Sequence, residues 1–237
     1  MKRVYIVSDN ITAPLGWNTV EVFAALLAGK SGIAVQEDTR LSEAPLQAAV
    51  FYSPRRHGDT EELFSRKIEI VNSPFLRASV VKTLTRFEQL ALHSIAEALQ
   101  HTSINPAAPE TVFILSTTKG NISLLETLPP SHPDLLLHHT ARNVAACLNN
   151  PNPPLVVAHA CVSGVAAMLL GKRLLESGRY RHAVVCGADE VSRFVVSGFQ
   201  SFQALSDEPC RPFARRRKGL NLGEGAATVV LSTEPER

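Results

Sequence analysis

The stretch Val156–Leu175, "VVAHACVSGVAAMLLGKRLL", decides the fold. It begins as an apolar, β-branched run ("LVVAHA", from Leu155) that reads as a buried strand. It continues as "SGVAAMLLGKRLLESG", a helical pattern that Gly178 ends. Cys161 stands on the corner between them. A strand that feeds a helix within a residue or two places a thiol at the helix mouth. There the first N–H groups lack intrahelical partners and carry roughly half a positive charge. Such a field favours a thiolate nucleophile, and the same N–H groups can hold an oxyanion during acyl transfer. Gly164 reads as the small residue that permits tight packing at the turn.

The flanking segments repeat the alternation. Upstream, "RVYIVSD" (3–9) reads as a strand, "APLG" as a turn, and "NTVEVFAALLAGKSG" as a helix capped by Asn18 or Thr19 and ended by Gly29. Val22, Phe23, Leu26 and Leu27 supply its helical spacing. Residues 30–70 read as loop with short pieces of structure, "PRRHGDTEE" (54–62) being charged surface. The strongest helical pattern runs from Phe75 to Thr102, with Leu84, Phe87, Leu90, Ala91, Ile95 and Leu99 on one face. A strand at 111–118, a helix at 132–150, a strand at 182–189 and a glycine-rich bend feeding a last strand (219–233) complete the chain. Several strands are apolar throughout, as in a central sheet covered on both faces.

The chain has 237 residues, 45% hydrophobic and 19% charged, with a formal charge of +2. That composition suits a soluble globular domain, and the charge is too small to argue for nucleic acid. No apolar run reaches the roughly 18 residues of a membrane helix, and the N-terminus lacks signal-peptide features, so the expected location is the cytoplasm. Cys147, Cys161, Cys186 and Cys210 stand singly, without a metal-ligand spacing, and no metal site is expected. Cys147 and Cys186 read as small buried hydrophobes. The segment "STTKGNISLLE" (116–126) lacks the glycine spacing of a phosphate loop.

Two long segments, "AHACVSGVAAMLLGKRLLESGRYRHAVVCGADE" and "SFQALSDEPCRPFARRRKGLNLGEGAATVVLS", resemble the N-terminal half of the β-ketoacyl-acyl-carrier-protein synthases, the condensing enzymes of fatty-acid and type II polyketide synthesis. The resemblance rests on Ala160-Cys161-Val162-Ser163-Gly164, Gly187-Ala188-Asp189-Glu190, Ala204-Leu205-Ser206, Arg211-Pro212-Phe213 and Gly223-Glu224-Gly225-Ala226, and on the N-terminal "PLG" turn and "LLAGKSGI". It implies a thiolase-like α/β fold: a central mixed sheet covered by helices on both faces, one half of the duplicated thiolase architecture. Residues 1–237 would form that N-terminal domain, with the C-terminal half absent. It implies that Cys161 accepts an acyl chain as a thioester from acyl carrier protein, before malonyl-carrier protein decarboxylates and attacks it. No cofactor of its own is implied, since the substrates ride on the carrier's phosphopantetheine. A dimer is implied, either a homodimer or a heterodimer with another ketosynthase-type subunit, in which the strand entering the cysteine corner pairs across the two-fold axis.

The family's two histidine motifs, "HGTGT" and "NSHFGH"-like, have no counterpart here, so condensation by these residues alone is not expected. His138 and His139 lie on a helix. His159, two residues before Cys161, would share a strand face with it, although a satisfied structural histidine is the commoner reading. The alternative function is a chain-length-factor-like partner subunit, although such subunits usually lack the nucleophilic cysteine. Ala214 replaces the family's aspartate after "RPF". The basic run that follows is read as a solvated face or, with Arg211, Arg215 and Arg216, as a dock for an acidic carrier. Glu224 reads as a buried pin of its glycine-rich bend, and Phe199 and Phe202 as acyl-tunnel lining or plain core.

Overall fold

A computed structural model describes residues 2–51 and 84–235. The segment 54–62 and the first part of the 75–102 helix lie outside the described residues. Among the described residues the strands are β1 (Tyr5–Thr12), β2 (Ala34–Gln36), β3 (Leu46–Ala49), β4 (Thr111–Ser116), β5 (Leu155–Val157), β6 (His182–Asp189), β7 (Leu222–Gly223) and β8 (Gly225–Ser232). The α-helices are α1 (Thr19–Leu27), α2 (Arg86–Gln100), α3 (Leu137–Cys147), α4 (Ser163–Glu176) and α5 (Arg193–Ser201).

The main sheet has the order β1-β8-β6-β4-β5. Strands β5, β4 and β6 run parallel, and β8 is antiparallel to both β6 and β1. A small sheet, β2-β3-β7, stands beside it. The alternation of β4 explains the layering. Phe113 and Leu115 point to a core shared with α2 and α3, whereas Val112 and Ile114 point to a second core under α4. Both faces of the strand are therefore covered, so β4 reads as an unbroken apolar run.

Local chemistry fixes the helix ends. Thr85 and Glu88 form a reciprocal capping box at the start of α2. The Asn18 side chain accepts the Glu21 N–H at 2.9 Å, and Gly29 takes φ +68 just past α1. Three sequence readings need correction. In α1 only Val22 and Ala25 are buried, while Phe23, Leu26 and Leu27 face outward. The 132–150 helix is broken: a 3-10 turn, Pro133–Leu135, precedes α3, because proline suits a first turn but not a helix interior. The strand read through His159 and Ala160 stops at Val157.

Candidate active site at the Cys161 elbow

The parallel strands bring three loops to one edge. Ser116 pairs with both Val157 and Gly187, so β4 and β5 end at the same level and β6 runs two residues further, to Asp189. Open α/β sheets bind ligands at such carboxyl ends. Cys161 leaves this edge four residues beyond β5, in a 3-10 turn (Ala160–Val162) that runs straight into α4. It is exposed. No side chain caps the start of α4, whose N-cap is Val162, so the first N–H groups of a 14-residue helix lie beside the thiol unclaimed by a side chain.

The turn is bent by Ala160, which holds φ +48, a left-handed conformation that costs a non-glycine residue about 1–2 kcal/mol. Ser163 offsets this cost. The His159 N–H donates to its Oγ at 2.7 Å, and its hydroxyl donates to the Ala160 carbonyl at 2.7 Å. Each such bond contributes about 1 kcal/mol net. Ser163 stands in the Ala160–Gly164 corner on which the resemblance rests, but the sequence assigns it no role, because only the bent backbone brings its hydroxyl onto His159 and Ala160.

His159 is itself exposed and outside the strand, with φ −139 and ψ 52, so the two-residue strand alternation does not bring it to Cys161's side. Gly164 also differs from its reading: a Cβ built there meets nothing within 4 Å, so tight packing is not its role. His139 reaches Asp134 through Nδ1 at 3.0 Å. Phe199 lies half-buried on α5, and Phe202, just beyond α5, is 79% exposed, which removes it from the core.

The neighbouring loops carry charge. The Thr117 hydroxyl donates to Asp189 at 3.1 Å, and Lys119 Nζ stands 5.8 Å from the Phe194 ring centroid. Asp189 is exposed as a residue, yet partial desolvation of its carboxyl raises its pKa, against the Thr117 and Thr118 hydrogen bonds and the Lys119 charge. At the same edge, Asp189 pairs with Gly225 at the start of β8. The Glu224 carboxylate just before it accepts the N–H groups of Phe51 at 2.6 Å and Val191 at 3.3 Å, and a two-pronged contact from the Arg86 guanidinium. Its side chain is 1% exposed, and it ties α2, β3, β6 and β8 together. Glu190, beside it, accepts the Ser123 hydroxyl at 2.5 Å. Burial pushes its pKa up, the Ser123 bond and Arg86 pull it down, and the Glu224 charge adds a smaller upward push. Arg86 gave no sign of this role, since only the fold brings it to Glu224.

The basic loop lies on the 202–221 segment. Arg211, Phe213, Arg217 and Lys218 help line a depression of about 770 Å³ beside Cys210. Phe213 takes φ +62 and is 99% exposed. Among the described residues, no group of three or more His, Cys, Asp or Glu side chains could hold a metal ion, and no helix is long and apolar enough to cross a membrane.

The family described as "Beta-ketoacyl synthase, N-terminal domain" matches residues 1–237. The chain belongs to that family. The ketoacyl synthase alpha subunit of the tetracenomycin polyketide synthase from Streptomyces glaucescens is 29% identical over 97% of this chain and 57% of its own length. A 3-oxoacyl-acyl-carrier-protein synthase 2 from Synechocystis is 26% identical, again over 97% and 57%. The chain thus spans a little over half the length of the curated relatives it matches. Among solved structures, a ketosynthase in complex with its chain length factor from Xenorhabdus doucetiae superposes with a TM-score of 0.75 at 21% identity, over 99% of this chain and 59% of that one. A β-ketoacyl synthase from Burkholderia phymatum gives 0.74 at 22% identity, over 98% and 59%. The fold of this ketosynthase-family domain is therefore the thiolase-like α/β half anticipated from the sequence.

Proposed function

We propose that this chain is the acyl-accepting N-terminal domain of a β-ketoacyl synthase, and that residues 1–237 work with a second half carrying the decarboxylating histidines. The observation that carries the reading is Cys161: an exposed thiol on a clamped turn, directly before a helix start that no side chain caps, in a chain of this family. The Cys161 sulfur attacks the carbonyl carbon of an acyl thioester. A new C–S bond forms, the carrier's C–S bond breaks, and the departing thiol takes the proton Cys161 gave up. The helix-start N–H groups face the charge that develops on the oxygen. Condensation then needs the second half, and the substrates arrive on the phosphopantetheine of an acyl carrier protein, with no further cofactor. The β5 edge strand, unpaired on its outer side among the described residues, suits a two-fold partner, a second copy or a related subunit. The reading also places the protein in the cytoplasm.

The test is acylation. Incubation with a medium-chain acyl-carrier protein should add one acyl mass to the chain, on the peptide bearing Cys161, and Cys161→Ala should abolish it. No added mass under conditions where iodoacetamide still labels Cys161 would favour the chain-length-factor-like alternative, with an inactive cysteine.

A further inference from the structure

We propose that Ser163 is the positioning residue of the Cys161 nucleophile: its one hydroxyl oxygen locks the left-handed residue before the cysteine and so sets the direction in which the thiol leaves the backbone. The inference rests on the reading of Cys161 as acyl acceptor. Cys161 lies within the five-residue loop His159–Ser163, and Ser163 Oγ closes it twice. It accepts the His159 N–H and donates to the Ala160 carbonyl, each at 2.7 Å. Ala160, between those two contacts and Cys161, is held at φ +48, where an alanine does not rest unaided. Among the described residues the Cys161 sulfur has no hydrogen-bond partner, so the backbone alone aims it.

The clamp is anchored from below. Ser163 is 6% exposed and shares the buried face of α4 with Ala167, Gly171 and Leu175. That face packs on Ala183, Val185 and Leu231 of the sheet. A rigid chain thus runs from sheet to helix, from helix to hydroxyl, and from hydroxyl to the bend before the thiol. Attack on a thioester carbonyl needs a defined approach, whereas alkylation by a small haloacetamide tolerates many. Loss of the clamp should therefore slow the first reaction and spare the second.

The experiment uses hexanoyl-N-acetylcysteamine as acyl donor and iodoacetamide as the undemanding probe. Both rates at Cys161 are read by intact mass on the parent chain and on Ser163→Ala, Ser163→Thr, Ser163→Val and Ala160→Gly/Ser163→Ala. Ser163→Ala should lower the acyl-transfer rate about tenfold and alter alkylation by less than about threefold. Ser163→Thr, which keeps the oxygen, should stay near the parent, and Ser163→Val, which has threonine's shape without its hydroxyl, should follow Ser163→Ala. Glycine at 160 accepts positive φ without help, so the double variant should regain part of the lost rate. Ser163→Ala acylating at the parent rate overturns the inference, and so does an equal fall in both reactions, which marks general loosening. If Ser163→Ala does not fold, the Thr and Val pair decides on the same terms. A parent chain that alkylates but never acylates overturns the proposed function itself, and the inference falls with it.

Discussion

Cys147 and Cys186 have no exposed surface, whereas Cys161 is exposed and Cys210 partly so. Burial pushes the Cys147 thiol up to about 11, with the Glu88 charge adding to it, and burial pushes Cys186 up to about 12 against a hydrogen bond to Thr228. Both lie above the ordinary value of 9.0, so the folded state holds these protons more tightly than the unfolded chain. Their stabilising contribution is complete below pH 9 and is lost as the pH climbs toward 11–12, at about 1.4 kcal/mol per thiol per pH unit. Urea unfolding at pH 8, 9.5 and 10.5 should show the midpoint falling, and Cys186→Ala should flatten that fall while lowering stability at pH 8. Limited labelling at pH 8 should modify Cys161 and leave Cys147 and Cys186 untouched until urea opens the core. At this scale the two buried thiols were legible, because a lone cysteine behaves as a small buried hydrophobe. The left-handed Ala160 was not, because nothing in its side chain demands positive φ.

Helix α4 shows what the sequence exposes at the level of elements. Its extent and its end at Gly178, with φ +76, follow from its own residues. Gly171 looks like a defect in a helix, and the packing explains it. A Cβ there would stand 3.1 Å from Leu231 Cδ1, 3.3 Å from Val185 Cγ2 and 3.5 Å from Ala183 Cβ. Alanine gains about 1 kcal/mol of helix propensity and spends about as much displacing two flexible side-chain ends, so Gly171→Ala should change stability by less than about 1 kcal/mol. Gly171→Val has no such compensation and should lower it by at least about 2 kcal/mol, read as a shift in the urea midpoint at unchanged slope. Equal effects of the two would show that α4 rides free of the sheet. The apolar runs β4 and β6 were equally legible, being buried on both faces. The end of β5 was not: "LVVAHA" keeps a strand-like pattern past Val157, yet the chain leaves the sheet there and bends at Ala160, tied back by the Ser163 hydroxyl three residues on. The two-residue β7 owes its existence to pairing with β3, more than 170 positions away, which no local pattern announces.

Seen whole, the molecule separates an apolar flank from a basic one. Val162, Val165 and Leu169 form an exposed stripe beside Cys161 on the outer face of α4, the kind of surface that another protein unit covers. The basic flank is the 211–218 loop. There Arg211 is paired with Glu208 at 3.3 Å, and Lys218 lies near Asp207 at 3.6 Å, so two acidic residues already offset part of its charge. Arg215 and Arg216 are exposed, and among the described residues neither enters an ion pair. The net charge of +2 over the chain conceals this concentration. Under the proposed function the partner is an acidic acyl carrier protein, which such a loop would steer and to which the outward Phe213 would present an apolar surface. Arg215→Glu/Arg216→Glu should weaken binding of holo-acyl carrier protein about tenfold at 50 mM salt, chiefly through a slower association rate, and the difference should shrink toward nothing near 0.5 M as screening shortens the reach of the charges. Phe213→Ala should weaken binding to a similar degree at both salt concentrations, since an apolar contact is not screened. Surface plasmon resonance on the parent chain and the two variants separates the two effects. An affinity for the carrier that neither substitution changes would remove this loop from the docking surface and leave Arg215 and Arg216 as solvated charge.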